Sequence, residues 1–115
     1  MTDLAKKDCV PCDDKDFPPL TREQAKDFLE HVPKWELFEN SREIHRVFHF
    51  KNFADALAFV NKVGEIAEEQ GHHPDIRLSW GMVEISLTTH SIGGLSENDF
   101  ILAARVDLIG EQEQN

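Results

Sequence analysis

A chain of 115 residues has room for one domain with a core that folds without disulfide staples, and 40% hydrophobic with 30% charged residues is a globular composition, not a disordered one. Twelve Lys and Arg against 22 Asp and Glu give a formal charge of -10, a field that repels phosphate backbones and anionic lipids and argues against nucleic-acid binding. The N-terminal stretch lacks the apolar core of a signal peptide and no later stretch approaches a membrane span, so no membrane role and a cytoplasmic location are expected.

Residues 1–19 show no apolar periodicity and close with Pro18 and Pro19, which predicts a flexible tail ahead of one domain over 20–110, with 111–115 as a C-terminal tail. Cys9 and Cys12 fall in the first tail as a C-V-P-C pair. Two thiols are half of a tetrahedral zinc site, and a redox pair belongs at a helix start after a strand, where Pro11, Asp13 and Asp14 favour a loop instead. Plain tail, metal and redox readings stay open. Thr21 with Gln24 three residues on is a capping box for a first helix, whose Ala25, Phe28 and Leu29 keep helical spacing to about His31, before Val32-Pro33 breaks it.

Trp35, Leu37 and Phe38, a turn at Glu39-Asn40-Ser41, and the alternation of Ile44, Arg46, Phe48 and Phe50 with His45, Val47 and His49 predict a hairpin. Arg46 interrupts the apolar face, so it is either paired or at an edge. Asn52 can cap a long helix with Phe53, Ala56, Leu57, Val60, Val63 and Ala67 as its apolar stripe, Phe59 and Ile66 on the flank, and Gly71 as its end. Ile76, Leu78 and Trp80, a turn at Gly81, then Val83, Ile85 and Leu87 predict a second hairpin. Ser96 and Asp99 open a last helix through Phe100, Leu102, Ala103, Val106 and Ile109, ending near Gly110. The fold expected is α+β in the order α-β-β-α-β-β-α, a four-stranded antiparallel sheet with three helices packed on one face. His45, Val47 and His49 then lie on an outer face beside free edges, which points to a homo-oligomer.

Three of the six histidines are gathered by this plan. The long helix carries Glu68 in its last turn and releases His72 and His73 just after Gly71; Pro74 narrows their directions; the second hairpin returns His90 to the place where its first strand begins. Imidazole titrates near pH about 6.5, so one ring can take a proton while another gives one. That suits dehydration of a carbinolamine, which needs a base at the nitrogen-bound proton and an acid at the departing hydroxyl, and no metal, redox cofactor or covalent intermediate. No glycine-rich nucleotide loop or nucleophile elbow is present. On residue chemistry alone a zinc ion held by the three histidines is the rival, although adjacent ligands are not the usual i, i+4 pair. His31, His45 and His49 read as solvated, interfacial or helix-end residues.

Glu68, His72, His73, Pro74, Trp80, His90 and Asp99 stand at intervals that resemble the motif of the pterin-4a-carbinolamine dehydratases, and the Phe48-x-Phe50-x-x-Phe53 run, Thr89-His90 and Gly94-Leu95-Ser96 extend the likeness. The resemblance covers roughly 20–109. It implies the same antiparallel sheet with helices on one side, assembled as a homodimer or a tetramer of dimers. It further implies loss of water from 4a-hydroxytetrahydropterin to give quinonoid dihydropterin, with an aromatic amino acid hydroxylase as the candidate partner and neither metal nor cofactor. By position, His72, His73 and His90 are the implied catalytic residues. Gly71, Pro74, Trp80, Thr88, Thr89 and Ser91 are the implied pterin contacts, and Glu68 and Asp99 support the histidines. Which histidine is acid and which base stays open, and a non-catalytic assembly module of the same fold is the alternative.

Overall fold

Thr21 starts α1 (Arg22–Leu29) through both halves of a capping box: its hydroxyl accepts the Gln24 N–H at 3.1 Å, and Gln24 Oε1 accepts the Thr21 N–H at 2.9 Å. The structure, a computed structural model, describes residues 3–9 and 18–114. After α1 come β1 (Glu36–Leu37) and β2 (Ile44–His49), then α2 (Phe53–Gln70), capped by Asn52, whose side chain accepts the Asp55 N–H at 2.8 Å. The second hairpin is β3 (Asp75–Ser79) and β4 (Met82–Leu87), and the last helix is α3 (Glu97–Gln114). Among the described residues these strands form one antiparallel sheet in the order β1-β2-β4-β3, and the fold is α+β with three α-helices on one face.

The strand register explains that one-sided cover. Ile44 stands opposite Leu87, Arg46 opposite Ile85, and Phe48 opposite Val83, while Ile76 and Leu78 face the last two positions from β3. Ile44, Phe48, Val83, Ile85 and Leu87 are buried, and with side chains alternating across a strand they present one apolar face to the helices. No described helix is long and apolar enough to cross a membrane.

Several expectations change on contact with the packing. Phe53 and Leu57 are 44% and 40% exposed, whereas Phe59, expected at the margin of the α2 stripe, is fully buried with its ring 4.7 Å from Phe48 and 5.1 Å from Phe50. The helix therefore turns Ala56, Phe59, Val63 and Ala67 to the core, a stripe anchored by aromatic contact with β2. Arg46 is paired and not at an edge: its guanidinium donates to Asp107 Oδ1 at 2.6 Å, the same oxygen that accepts the Trp35 indole N–H at 2.7 Å, and β2 has neighbours on both sides. Trp80 does not continue the alternation of β3, because the strand ends at Ser79 and the ring stands in the turn, 68% exposed.

Part of the expected N-terminal tail is packed on the core. Leu4, in a 3-10 turn at Asp3–Lys6, is 5% exposed and belongs to the same apolar cluster as α3, against which the turn lies. The reason is in α3 itself, where Phe100, Ile101, Leu102, Ala103, Ala104 and Val106 are buried on every side of the helix. A helix apolar all round needs cover beyond one sheet, and residues 3–6 provide some of it. Cys12 lies outside the described residues. Nor does α3 stop at Gly110; it runs on to Gln114. A Cβ at Gly110 would sit 2.6 Å from Phe48 Cε1, so the glycine is there to let the helix approach β2 rather than to end it.

Candidate active site

Gly71 ends α2 in the left-handed conformation, φ 66, which costs a glycine little and any other residue more. Its N–H bonds to the Glu68 carbonyl at 3.3 Å and that of His72 to the Ala67 carbonyl at 3.2 Å, so the chain leaves the helix in a fixed direction. His72 and His73 follow at once, and Pro74 leads directly into β3. The two rings diverge, as expected for consecutive residues. His72 is turned inward, its side chain 12% exposed, and His73 outward at 62%.

Each ring has its own carboxylate. His72 Nε2 lies 2.6 Å from Asp99 Oδ1, and Asp99 is fully buried at the start of α3. The second oxygen, Oδ2, accepts the Ser96 N–H at 2.9 Å and the Thr89 hydroxyl at 2.9 Å; the Ser96 hydroxyl in turn donates to Thr89 Oγ1 at 2.8 Å. With the Ser96 N–H and the Thr89 hydroxyl already on Oδ2, Oδ1 is the oxygen left to accept a ring N–H, so a neutral His72 would hold its proton at Nε2 and keep its lone pair at Nδ1. His73 Nε2 is bonded to Glu68 Oε2 at 2.5 Å. That pair spans the last turn of α2 and lies open to water, where ion pairs contribute little to stability.

His90 reaches the same end of the domain from β4. It opens a 3-10 turn, His90–Ile92, and is exposed; its neighbour Thr89 is buried, bridged to Gly94 and bonded to Asp99. Two hydrogen bonds, His72 to Asp99 and Thr89 to Asp99, thus tie the end of α2 to the residue before His90. Thr88 donates to the Arg42 carbonyl at 2.5 Å, and Ser91 lies exposed in the turn. Among the described residues no group of three or more His, Cys, Asp or Glu side chains is placed to share a metal ion. Trp80 is the exception among the expected contacts: it lies at the far end of the β3–β4 hairpin, roughly 16 Å of strand from Asp75.

Ser96 was not among the residues expected at the site. Its sequence signal, a serine three residues before an aspartate, reads as a helix start, and half of that holds, since Asp99 does accept the Ser96 N–H. The hydroxyl is diverted to Thr89 instead of the helix, a contact only the folded chain reveals.

The family model described as pterin 4 alpha carbinolamine dehydratase matches residues 18–109, a span that holds every element of the sheet and the whole histidine cluster. The chain belongs to that family. Curated relatives bearing the dehydratase name include one from Methylococcus capsulatus, 51% identical over 104 residues and covering 90% of each chain. Another is pterin-4-alpha-carbinolamine dehydratase 2, mitochondrial, of Arabidopsis thaliana, 44% identical over 110 residues, which span 93% of this chain and 59% of that one. Among solved structures, a transcriptional coactivator/pterin dehydratase from Brucella melitensis superposes with a TM-score of 0.76 at 29% identity, over 80% of this chain and 98% of that one. A pterin dehydratase-like protein identified as a RuBisCO assembly factor in the alpha-carboxysome superposes at 0.59, with 27% identity over 67% and 89%.

Proposed function

We propose that this protein removes water from 4a-hydroxytetrahydropterin to give quinonoid dihydropterin, with His72, His73 and His90 handling the two protons. The observation that carries the proposal is the His72–Asp99 pair, its carboxylate buried and held by Thr89 and Ser96, with His73 the next residue after His72 and His90 the next after Thr89. In the reaction the proton on the pterin nitrogen goes to an imidazole, the C4a–O bond breaks, the new carbon–nitrogen double bond forms, and the departing hydroxyl leaves as water with a proton from a second imidazole. A ring whose Nε2 is bonded to a carboxylate can accept at Nδ1, with the carboxylate balancing the charge it gains. Both His72 and His73 meet that condition.

The proposal includes the cytoplasm as the setting, a homodimer or tetramer as the working assembly, and recycling of the pterin of an aromatic amino acid hydroxylase as the purpose. A second reading, an assembly module without chemistry, has support from the RuBisCO assembly factor of similar fold. The histidines with their carboxylates favour the enzyme. The test follows the 4a-hydroxypterin absorbance with chelator present. The protein should speed its decay, and His72→Ala or His90→Ala should lower kcat by about 10²- to 10⁴-fold while the far-ultraviolet dichroism stays that of the folded chain. Undiminished turnover in either variant contradicts the site, and no acceleration by the unaltered protein leaves the assembly module in its place.

A further inference from the structure

Residues 7–9 stand across the junction of two helix ends, α2 and α3, that carry the His72–Asp99 pair. Gln70, the last residue of α2, accepts the Cys9 N–H at Oε1, 2.7 Å away, and donates from Nε2 to Asp8 Oδ1 at 3.2 Å. From the other side, Cys9 Sγ–H donates to the Asn98 carbonyl at 3.6 Å, Lys7 Nζ pairs with Glu97 at 2.8 Å, and Arg105 donates to the Lys7 carbonyl at 2.6 and 3.1 Å and to Asp8 at 3.0 Å. Leu4, buried just upstream, keeps this segment from drifting off α3. His72 lies two residues beyond Gln70, and Asp99 one residue beyond Asn98. The same short piece of chain therefore holds both the helix end before His72 and the helix start that carries Asp99.

Three further facts favour a role in the site over general stabilisation. Gln70 uses both its acceptor and its donor on a single segment, which fixes the amide plane and with it the last turn of α2. Gly71 follows without a side chain of its own to hold that turn, so the grip on the chain's exit direction falls to its neighbours. Asn98, gripped by Cys9, is 3% exposed and inside the first turn of α3, so a shift there moves Asp99 directly. We propose that Gln70 is a positioning residue of the dehydratase site: by clasping the Asp8-Cys9 backbone and side chain it holds His72 against Asp99. This rests on the function proposed above, but the geometry it describes does not.

The experiment therefore reads both. Gln70→Ala is compared with the unaltered protein for kcat, KM and the proton NMR signal of the His72 Nε2–H, which a hydrogen bond to a buried carboxylate shifts downfield and protects from exchange. Asp8→Ala, at a side chain 82% exposed, loosens the same clasp should Gln70→Ala fold poorly. Gln70→Glu keeps an acceptor for the Cys9 N–H but turns a carboxylate toward Asp8, so it should fall between the unaltered protein and Gln70→Ala. The expected result for Gln70→Ala is a kcat lower by about tenfold at unchanged KM, within the roughly 10²-fold cost of misplacing reacting groups by a full ångström. The His72 signal should broaden or vanish. A His72 signal and kcat like those of the unaltered protein overturn the proposal, as does a loss of kcat with the His72 signal unchanged. If the unaltered protein has no dehydratase activity, the proposed function falls, and the His72 signal alone decides the clasp.

Discussion

Asp99 has two oxygens and three partners, His72, Thr89 and the Ser96 backbone, with no exposure to water. Its replacement by asparagine keeps the shape and, with the amide oxygen toward Ser96 and Thr89, leaves an N–H₂ facing His72. The imidazole must then present a lone pair at Nε2 and carry its proton on Nδ1, the nitrogen proposed to face substrate. Asp99→Asn should therefore lower kcat by about 10²- to 10⁴-fold at nearly unchanged stability, measured by turnover alongside urea unfolding. An equal loss of stability would mean Asp99 serves the fold and not the reaction. At this scale the sequence displays the parts and hides some of the links. Glu68, His72, His73 and His90 are visible because their spacing is local to a helix end and a hairpin, whereas Asp99 reads locally as a helix start and joins them only through the family motif. The Thr89–Ser96 hydroxyl contact joins residues that each had a simpler local use, as a strand end and a helix start, and no spacing rule selects between the two.

At the scale of elements, periodicity and end signals located all three helices and both hairpins. They misplaced what depends on a second neighbour. In α2 the apolar residues span more than one face, and only the position of Phe48 and Phe50 decides that Phe59 goes inward while Phe53 and Leu57 stay out. In α3 the unbroken apolar run over 100–104 belongs to a helix covered on several sides, but it does not say by what; part of the cover is Leu4, in the expected tail, which has no periodic neighbours to announce it. Gly110 has the look of a helix stop and serves as a point of close approach. Gly110→Ala should destabilise the protein by about 1–3 kcal/mol, since the added methyl meets a fully buried Phe48 ring that has nowhere to withdraw. Chemical denaturation checks this; an unchanged or raised midpoint would show that α3 does end before the contact forms.

For the whole molecule, function and surface divide between two ends. His72 and His73 stand where α2 ends and β3 begins, tied through Asp99 to the residue before His90, while Trp80, at 68%, and Phe53 and Leu57 at the start of α2 are the large apolar side chains left exposed among the described residues. Phe53 and Leu57 are neighbours on one helix face, and the strands β1 and β3 present open sheet edges, so a single chain leaves both apolar surface and backbone donors unused. Light scattering on the purified protein should give at least twice the mass of one chain, as the proposed homo-oligomer requires; the mass of a single chain at micromolar concentration would refute it. The net charge of -10 acts against association at low salt, and raising the ionic strength should strengthen the assembly by screening it.

In the proposed reaction the histidines held by Asp99 and Glu68 meet the pterin at its reacting carbon. A structure of the protein with a bound tetrahydropterin analogue tests that most directly. Ring nitrogens of His72, His73 and His90 should then lie around the C4a–N5 bond, at least two of them within about 3.5 Å of the reacting atoms. A pterin seated elsewhere, with Trp80 and the hairpin turn or against the outer face of the sheet, would contradict it.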